Sequence, residues 1–165
     1  MSDSSAVSVF VGIGSNIEPF VHIPRVRVLL EDRFGPLRVS QAYRCPAVGF
    51  EGDPFVNLVV GFDTTEPPLA VVHALRDVEQ QCGRKRNEKM RSRTMDLDLL
   101  LHGNRVIDRD GLHLPRSDIL RYAFVLKPLA EMIPDQLHPE VQRSYADLWA
   151  DFDARDQPLT AVDPG

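Results

Sequence analysis

The chain has 165 residues, 43% of them hydrophobic, which suits one globular domain with a real core, residues 1–165. No run approaches the ~18–20 apolar residues of a membrane helix, and no basic n-region precedes the first apolar stretch. Membrane insertion and export are therefore not indicated, and the cytoplasm is the expected location. Net charge is −5, yet Arg84, Lys85, Arg86, Lys89, Arg91 and Arg93 crowd ten residues against one acid, Glu88. An acidic body with one basic loop argues against a nucleic-acid surface, and favours a local anion site able to focus its field on a small polyphosphate.

In chain order, the valine-rich run Val7 to Ile13 stops at Gly14-Ser15-Asn16 and predicts a strand entering a turn. Val21 to Phe34 carries apolar residues at 26, 29, 30 and 34 and predicts an amphipathic helix that Pro24 starts. Leu37 to Tyr43 predicts a second strand. Arg44 to Pro54, with Pro46, Gly49, Gly52 and Pro54, reads as a loop long enough to suggest function. Phe55 to Phe62 is a third strand, and Pro67-Pro68 opens a helix that ends at Gly83.

After the basic loop comes Asp96-Leu97-Asp98-Leu99-Leu100-Leu101, read as a strand. Gly103-Asn104 signals a hairpin with Arg105 to Ile107 returning, and Leu112 to Leu114 adds a short strand. Tyr122 to Met132 and Ser144 to Trp149 read as helices. Residues 1–5 and those from about 153 to 165 read as loosely held tails. The order β-α-β-β-α-β matches an α+β split β-α-β sandwich: an antiparallel sheet, helices on its faces, and an extra C-terminal hairpin and helices. Cys45 and Cys82 follow no metal-ligand spacing and are expected to be free thiols.

Side chains at i and i+2 of a strand share a face, so Asp96 and Asp98 point together. Two acids side by side on a buried strand repel each other and lose hydration, so they need positive charge between them, from a divalent cation or the arginines upstream. A hard cation held by two carboxylates suits Mg²⁺, which keeps waters and takes further ligands from substrate phosphates. The strand therefore reads as a nucleotide-phosphate site.

Several motifs occur in one order: Gly14-Ser15-Asn16, Tyr43-Arg44-Cys45-Pro46, Phe55-Val56-Asn57, Glu79 with Gly83-Arg84, Arg93-Thr94-Met95-Asp96-Leu97-Asp98, and Ala123-Phe124-Val125-Leu126 with Pro128-Leu129. In this the chain resembles the 6-hydroxymethyl-7,8-dihydropterin pyrophosphokinases, from about Val7 to Leu148. The resemblance implies a ferredoxin-like fold and transfer of diphosphate from ATP to a pterin alcohol, with AMP as the other product. It implies two Mg²⁺ ions bound with ATP and shared by Asp96 and Asp98. It places the pterin between Phe55 and Phe124, its edge read by Asn57 and by groups around Cys45, Pro46 and Val48. Arg84 and Arg93 join the two aspartates as catalytic residues. Arg76, Glu79, Arg84, Arg86, Lys89, Arg93, Leu99, Arg116 and Arg121 are the implied ATP contacts. A monomer is expected, with no membrane or nucleic-acid partner.

The basic loop departs from the family pattern. Lys89 stands for a usual arginine and loses its bidentate fork. Met90 stands for an aromatic, and Arg91 for a small residue. Arg116 stands where histidine is common, Tyr122 where arginine is usual, and Arg76 where glutamine is frequent. The chain therefore reads as a divergent member. The alternatives are a paralogue acting on a related pterin, and a pterin-binding protein with little catalysis. Taken singly, Phe55 and Phe124 also fit core aromatics, Asn57 a strand-edge amide, and Glu79 a surface acid.

Overall fold

The computed structural model describes residues 5–46, 53–82 and 95–164. Its elements are β1 (Val7–Ser15), α1 (Pro19–Phe34), β2 (Arg38–Val39), β3 (Ala42–Cys45), β4 (Phe55–Thr64), α2 (Pro68–Gln81), β5 (Asp96–His102), β6 (Ile107–Arg109), β7 (Leu112–Leu114), α3 (Asp118–Arg121), α4 (Ala123–Met132), α5 (Tyr145–Ala150) and β8 (Thr160–Val162). The main sheet runs β5-β1-β4-β3-β8, with β2 also on β4, and every pairing in it is antiparallel. The central four strands have the order of a ferredoxin-like sandwich, as the sequence predicts.

Alternation along the strands builds two cores. Val9, Val11 and Ile13 of β1, Val56, Leu58, Val60 and Phe62 of β4, and Leu97 and Leu99 of β5 pack beneath α1 and α2. The opposite face contributes Phe10, Val59, Leu100 and Leu101 to a second core under α3, α4 and α5. A bulge allows adjacent Leu100 and Leu101 to serve the same core: Phe10 pairs with Leu101 while Val11 pairs with Leu99.

Four local features differ from the sequence reading. First, Pro19 rather than Pro24 starts α1, and Pro24 lies inside it. The missing N–H falls one turn in, where the packing of Ile23, Val26 and Leu30 carries the helix past the lost bond. Second, the run from Leu37 to Tyr43 is split into β2 and β3, with the Ser40 hydroxyl accepting the Val59 N–H at 2.8 Å.

Third, the turn at Gly103-Asn104 does not return a strand onto β5. The hairpin is β6–β7, turning at Asp110-Gly111, whose φ angles of 57° and 74° are those of a tight primed turn. Fourth, the stretch read as a C-terminal tail carries β8, paired with β3 through Ala42↔Val162, Tyr43↔Ala161 and Arg44↔Thr160. Three residues give no periodicity to read; the open edge of β3 supplies the ladder that orders them. Among the described residues, no helix is long and apolar enough to cross a membrane.

Candidate active site

Register lays the site across the sheet. Asp96 pairs with Gly14, Gly14 with Asn57, and Asn57 with Tyr43. One step along, Asp98 pairs with Gly12, and one step the other way Phe55 pairs with Cys45. Directly paired residues point the same way, so both carboxylates, the Asn57 amide and the Cys45 thiol leave the face beneath α3 and α4. A cavity of about 280 Å³ opens there, lined by the two aspartates, Asn57, Cys45, Pro46 and Phe55 from the sheet, and by Asp118, Tyr122 and Phe124 from the helical layer. Gly14 keeps its floor low: a Cβ at this position would stand 2.7 Å from Asn57 Oδ1.

At the amide end, Asn57 Nδ2 donates to Cys45 Sγ at 3.0 Å. Burial pushes the Cys45 thiol up to about 11, against the opposing pull of that bond, so the sulfur is a neutral wall at pH 7. The Tyr122 and Phe124 rings stack on each other, with centroids 5.0 Å apart and planes 17° off parallel. Beside Asn57, on the neighbouring strand, the Tyr43 hydroxyl donates to the Glu131 carboxylate at 2.7–2.8 Å.

The acidic end is held from behind. Glu79 is 3% exposed, and its Oε2 accepts the Leu97 N–H at 2.8 Å. Arg76 Nη1 donates to Glu79 Oε1 at 3.1 Å and to the Leu97 carbonyl at 3.2 Å. Together they grip both polar groups of the residue between Asp96 and Asp98. In front, Arg116 Nη2 lies 3.6 Å from Asp98 Oδ1, while its Nε donates to Asp118 Oδ2 at 3.1 Å. Burial raises the Asp98 carboxyl above its ordinary range, Arg116 pulls it down, and Asp118 and Glu79 add to the rise. Burial works against the Arg116 charge, but Asp98, Asp118 and Asp96 outweigh it and hold the guanidinium above its usual value.

Of the residues singled out in the sequence, Cys45, Pro46, Phe55, Asn57, Asp96, Asp98 and Phe124 line this one cavity. Arg116 reaches Asp98 from its rim. Arg76 and Glu79 lie behind β5; Glu79 is buried rather than a surface acid. Leu99 belongs to the core under α1 and α2, on the opposite face from the aspartates. Arg121 is exposed, its guanidinium 5.4 Å from the Tyr122 ring centre. Val48, Arg84, Arg86, Lys89 and Arg93 lie outside the described residues. The sequence reading missed Asp118 as a third carboxylate of the cavity and Tyr122 as a wall. Asp118 was marked only by its place two residues after Arg116, in the first turn of α3.

The donor set fits a hard divalent cation. Asp96 and Asp98 are both half-buried on one face, and Asp98 is raised by burial with Asp118 and Glu79 adding negative charge. Among the described residues no cluster of three histidine, cysteine or carboxylate ligands forms. A hard cation held by two carboxylates takes its other ligands from water and phosphate oxygens in the manner of Mg²⁺.

Residues 10–134 match the family model of the 7,8-dihydro-6-hydroxymethylpterin-pyrophosphokinases (HPPK). A 2-amino-4-hydroxy-6-hydroxymethyldihydropteridine pyrophosphokinase of Pseudomonas aeruginosa is 35% identical over 144 residues, covering 80% of this chain and 84% of the relative. The enzyme of the same name from Aquifex aeolicus is 31% identical over 134 residues, covering 80% and 84%. In three dimensions the chain is similar to wild-type Plasmodium falciparum HPPK-DHPS, with a TM-score of 0.71 and 13% identity. That match takes in 94% of this chain and 46% of the solved one; at such identity it bears on the fold alone. The family model and the curated relatives span most of the chain, which belongs to the 7,8-dihydro-6-hydroxymethylpterin-pyrophosphokinase family.

Proposed function

We propose that this chain transfers the terminal diphosphate of ATP to the hydroxymethyl group of 6-hydroxymethyl-7,8-dihydropterin, the reaction its curated relatives are named for. One observation carries the reading: a single cavity joins a carboxylate pair at one end to an amide, a thiol and aromatic rings at the other. The first suits a metal-bound polyphosphate and the second a flat, hydrogen-bonding heterocycle.

Asn57 offers Oδ1 and a second Nδ2 hydrogen to a lactam-like edge, the first hydrogen being committed to Cys45. Phe55 and Phe124 give faces for the rings, and such stacking contributes about 0.5–1.5 kcal/mol beyond buried area. The pterin hydroxyl oxygen attacks the β-phosphorus of ATP, the bond from the β-phosphorus to the α,β-bridging oxygen breaks, and AMP leaves with that oxygen as the hydroxyl proton is released to water.

Asp96 and Asp98 would hold Mg²⁺, two ions in this reading, whose charge would offset that of the phosphate oxygens. Arg116, anchored by Asp118, places positive charge beside Asp98 at the mouth of the phosphate end. Arg84, Arg86 and Arg93 are assigned to the ATP phosphates from sequence alone.

The test is product analysis of one incubation with ATP, Mg²⁺ and the dihydropterin alcohol. AMP formed in step with pterin diphosphate is expected. ADP instead of AMP contradicts diphosphate transfer, and pterin binding with no nucleotide consumed leaves a binding protein.

A further inference from the structure

Residues 153–162, which the sequence marks only as a polar tail, bond to elements on both sides of the cavity, β3 and the α3–α4 junction. On the sheet side, β8 extends the sheet beyond β3, and Gln41 Nε2 donates to the Val162 carbonyl at 2.8 Å. The strand that ends at Cys45 is thereby an inner strand rather than an edge. On the helical side, the Gln157 carboxamide spans the junction of α3 and α4. Its Oε1 accepts the Ala123 N–H at 2.8 Å, and its Nε2 donates to the Arg121 carbonyl at 3.1 Å.

Those two backbone groups flank Tyr122, which is extended (φ −122°, ψ 128°) between the helices. The Ala123 N–H is the first of the donors that a helix start leaves unpaired. Tyr122 provides no side-chain cap for α4, so an amide 34 residues away provides it instead. By holding the peptide on each side of Tyr122, that amide fixes the direction in which α4 leaves the junction. The Tyr122 and Phe124 rings, stacked on each other and lining the cavity, follow from that direction.

We propose that Gln157 is a positioning residue for the pterin, setting through the α3–α4 junction the plane that Phe124 presents to the heterocycle. The inference rests on the reading of this cavity as the pterin site. The carboxylate pair is built on β5 and braced by Arg76 and Glu79, so that end does not depend on Gln157; of the implied ATP contacts Gln157 holds Arg121, and there the backbone carbonyl and not the guanidinium.

The test titrates the full chain and its Gln157→Ala, Gln157→Glu and Asn57→Ala variants, below their melting temperatures. The probes are 6-hydroxymethylpterin, followed by its fluorescence, and a non-hydrolysable ATP analogue with Mg²⁺, followed by calorimetry. Gln157→Ala is expected to weaken pterin binding about five- to tenfold, the range of a lost helix cap felt at the pocket, with analogue affinity changed by less than about twofold. The KM for pterin rises with it while the KM for ATP stays. Gln157→Glu keeps the acceptor for Ala123 N–H and loses the donor to Arg121, so it falls between Ala and the parent.

Equal weakening of both ligands alongside a lower melting temperature means general loosening and overturns the proposal. So does pterin binding that Asn57→Ala weakens and Gln157→Ala leaves intact. A parent chain that binds no pterin overturns this proposal together with the assignment of the cavity.

Discussion

Replacing Glu79 by alanine tests how the aspartate pair is held. Glu79 is 3% exposed, and one of its oxygens accepts the Leu97 N–H at 2.8 Å. Its other oxygen receives Arg76, which also donates to the Leu97 carbonyl. Glu79→Ala leaves the N–H of fully buried Leu97, the second residue of β5, without this acceptor, a loss of about 1–3 kcal/mol. Taking about 2 kcal/mol, a chain of this size should melt roughly 4–8 °C lower. Glu79→Gln keeps the volume and one acceptor but turns an amide toward Arg76, and should lose about half as much.

The functional effect should be larger than the thermal one. Leu97 sits between Asp96 and Asp98, and a misplacement of about 1 Å at a reacting centre can cost on the order of 100-fold in rate. A fall in kcat/KM of at least about tenfold is therefore expected for Glu79→Ala, with pterin affinity unchanged because Asn57 lies two strands away. Thermal melts followed by circular dichroism, together with AMP formation at a temperature where the variant is folded, give both numbers. A melting temperature reduced with turnover intact would refute the positioning argument. An unchanged melting temperature would refute the clamp itself.

Three further outcomes follow from single contacts. Gly14→Ala brings a methyl to 2.7 Å from Asn57 Oδ1, so it should displace that amide, lower stability by about 1–3 kcal/mol and weaken pterin binding in a fluorescence titration; parent-like binding would contradict the cradle. Burial lifts the Cys45 thiol to about 11, so the folded protein holds this proton more tightly than the unfolded chain. Its contribution to stability is present below the ordinary thiol range and lost as pH climbs toward 11. Alkylation of native Cys45 should accordingly be slow at pH 7.5 and slower with pterin bound; rapid labelling at neutral pH would count against it. The Tyr145 hydroxyl is buried with no partner among the described residues, so Tyr145→Phe should be neutral or stabilising by up to about 1 kcal/mol in urea denaturation, and a clear loss would reveal a bond.

Much of this arrangement is legible in the sequence because two simple periodicities carry it. Alternation along Asp96-Leu97-Asp98 places both acids on one face, and alternation from Phe55 to Phe62 puts Asn57 beside Phe55 on the cavity side. What escapes is decided by partners distant in the chain. β8 is three residues whose order comes from the edge of β3. Gly103-Asn104 has the composition of a hairpin turn, but the pairing strands meet at Asp110-Gly111 instead. Glu79 reads as one acid on a helix until β5 packs beside α2 and gives it the Leu97 peptide to hold. Gln157 carries no local signal, since its two partners are backbone groups more than thirty residues upstream.

The most direct measurement compares the parent with the Asp96→Asn/Asp98→Asn double variant for two properties at once: AMP formation and pterin binding. The two carboxylates are expected to serve the phosphate end of the cavity, and Asn57, two strands from β5, the heterocycle. The double variant should then bind pterin within about threefold of the parent and form no AMP above background. Turnover that survives the loss of both charges would contradict the account.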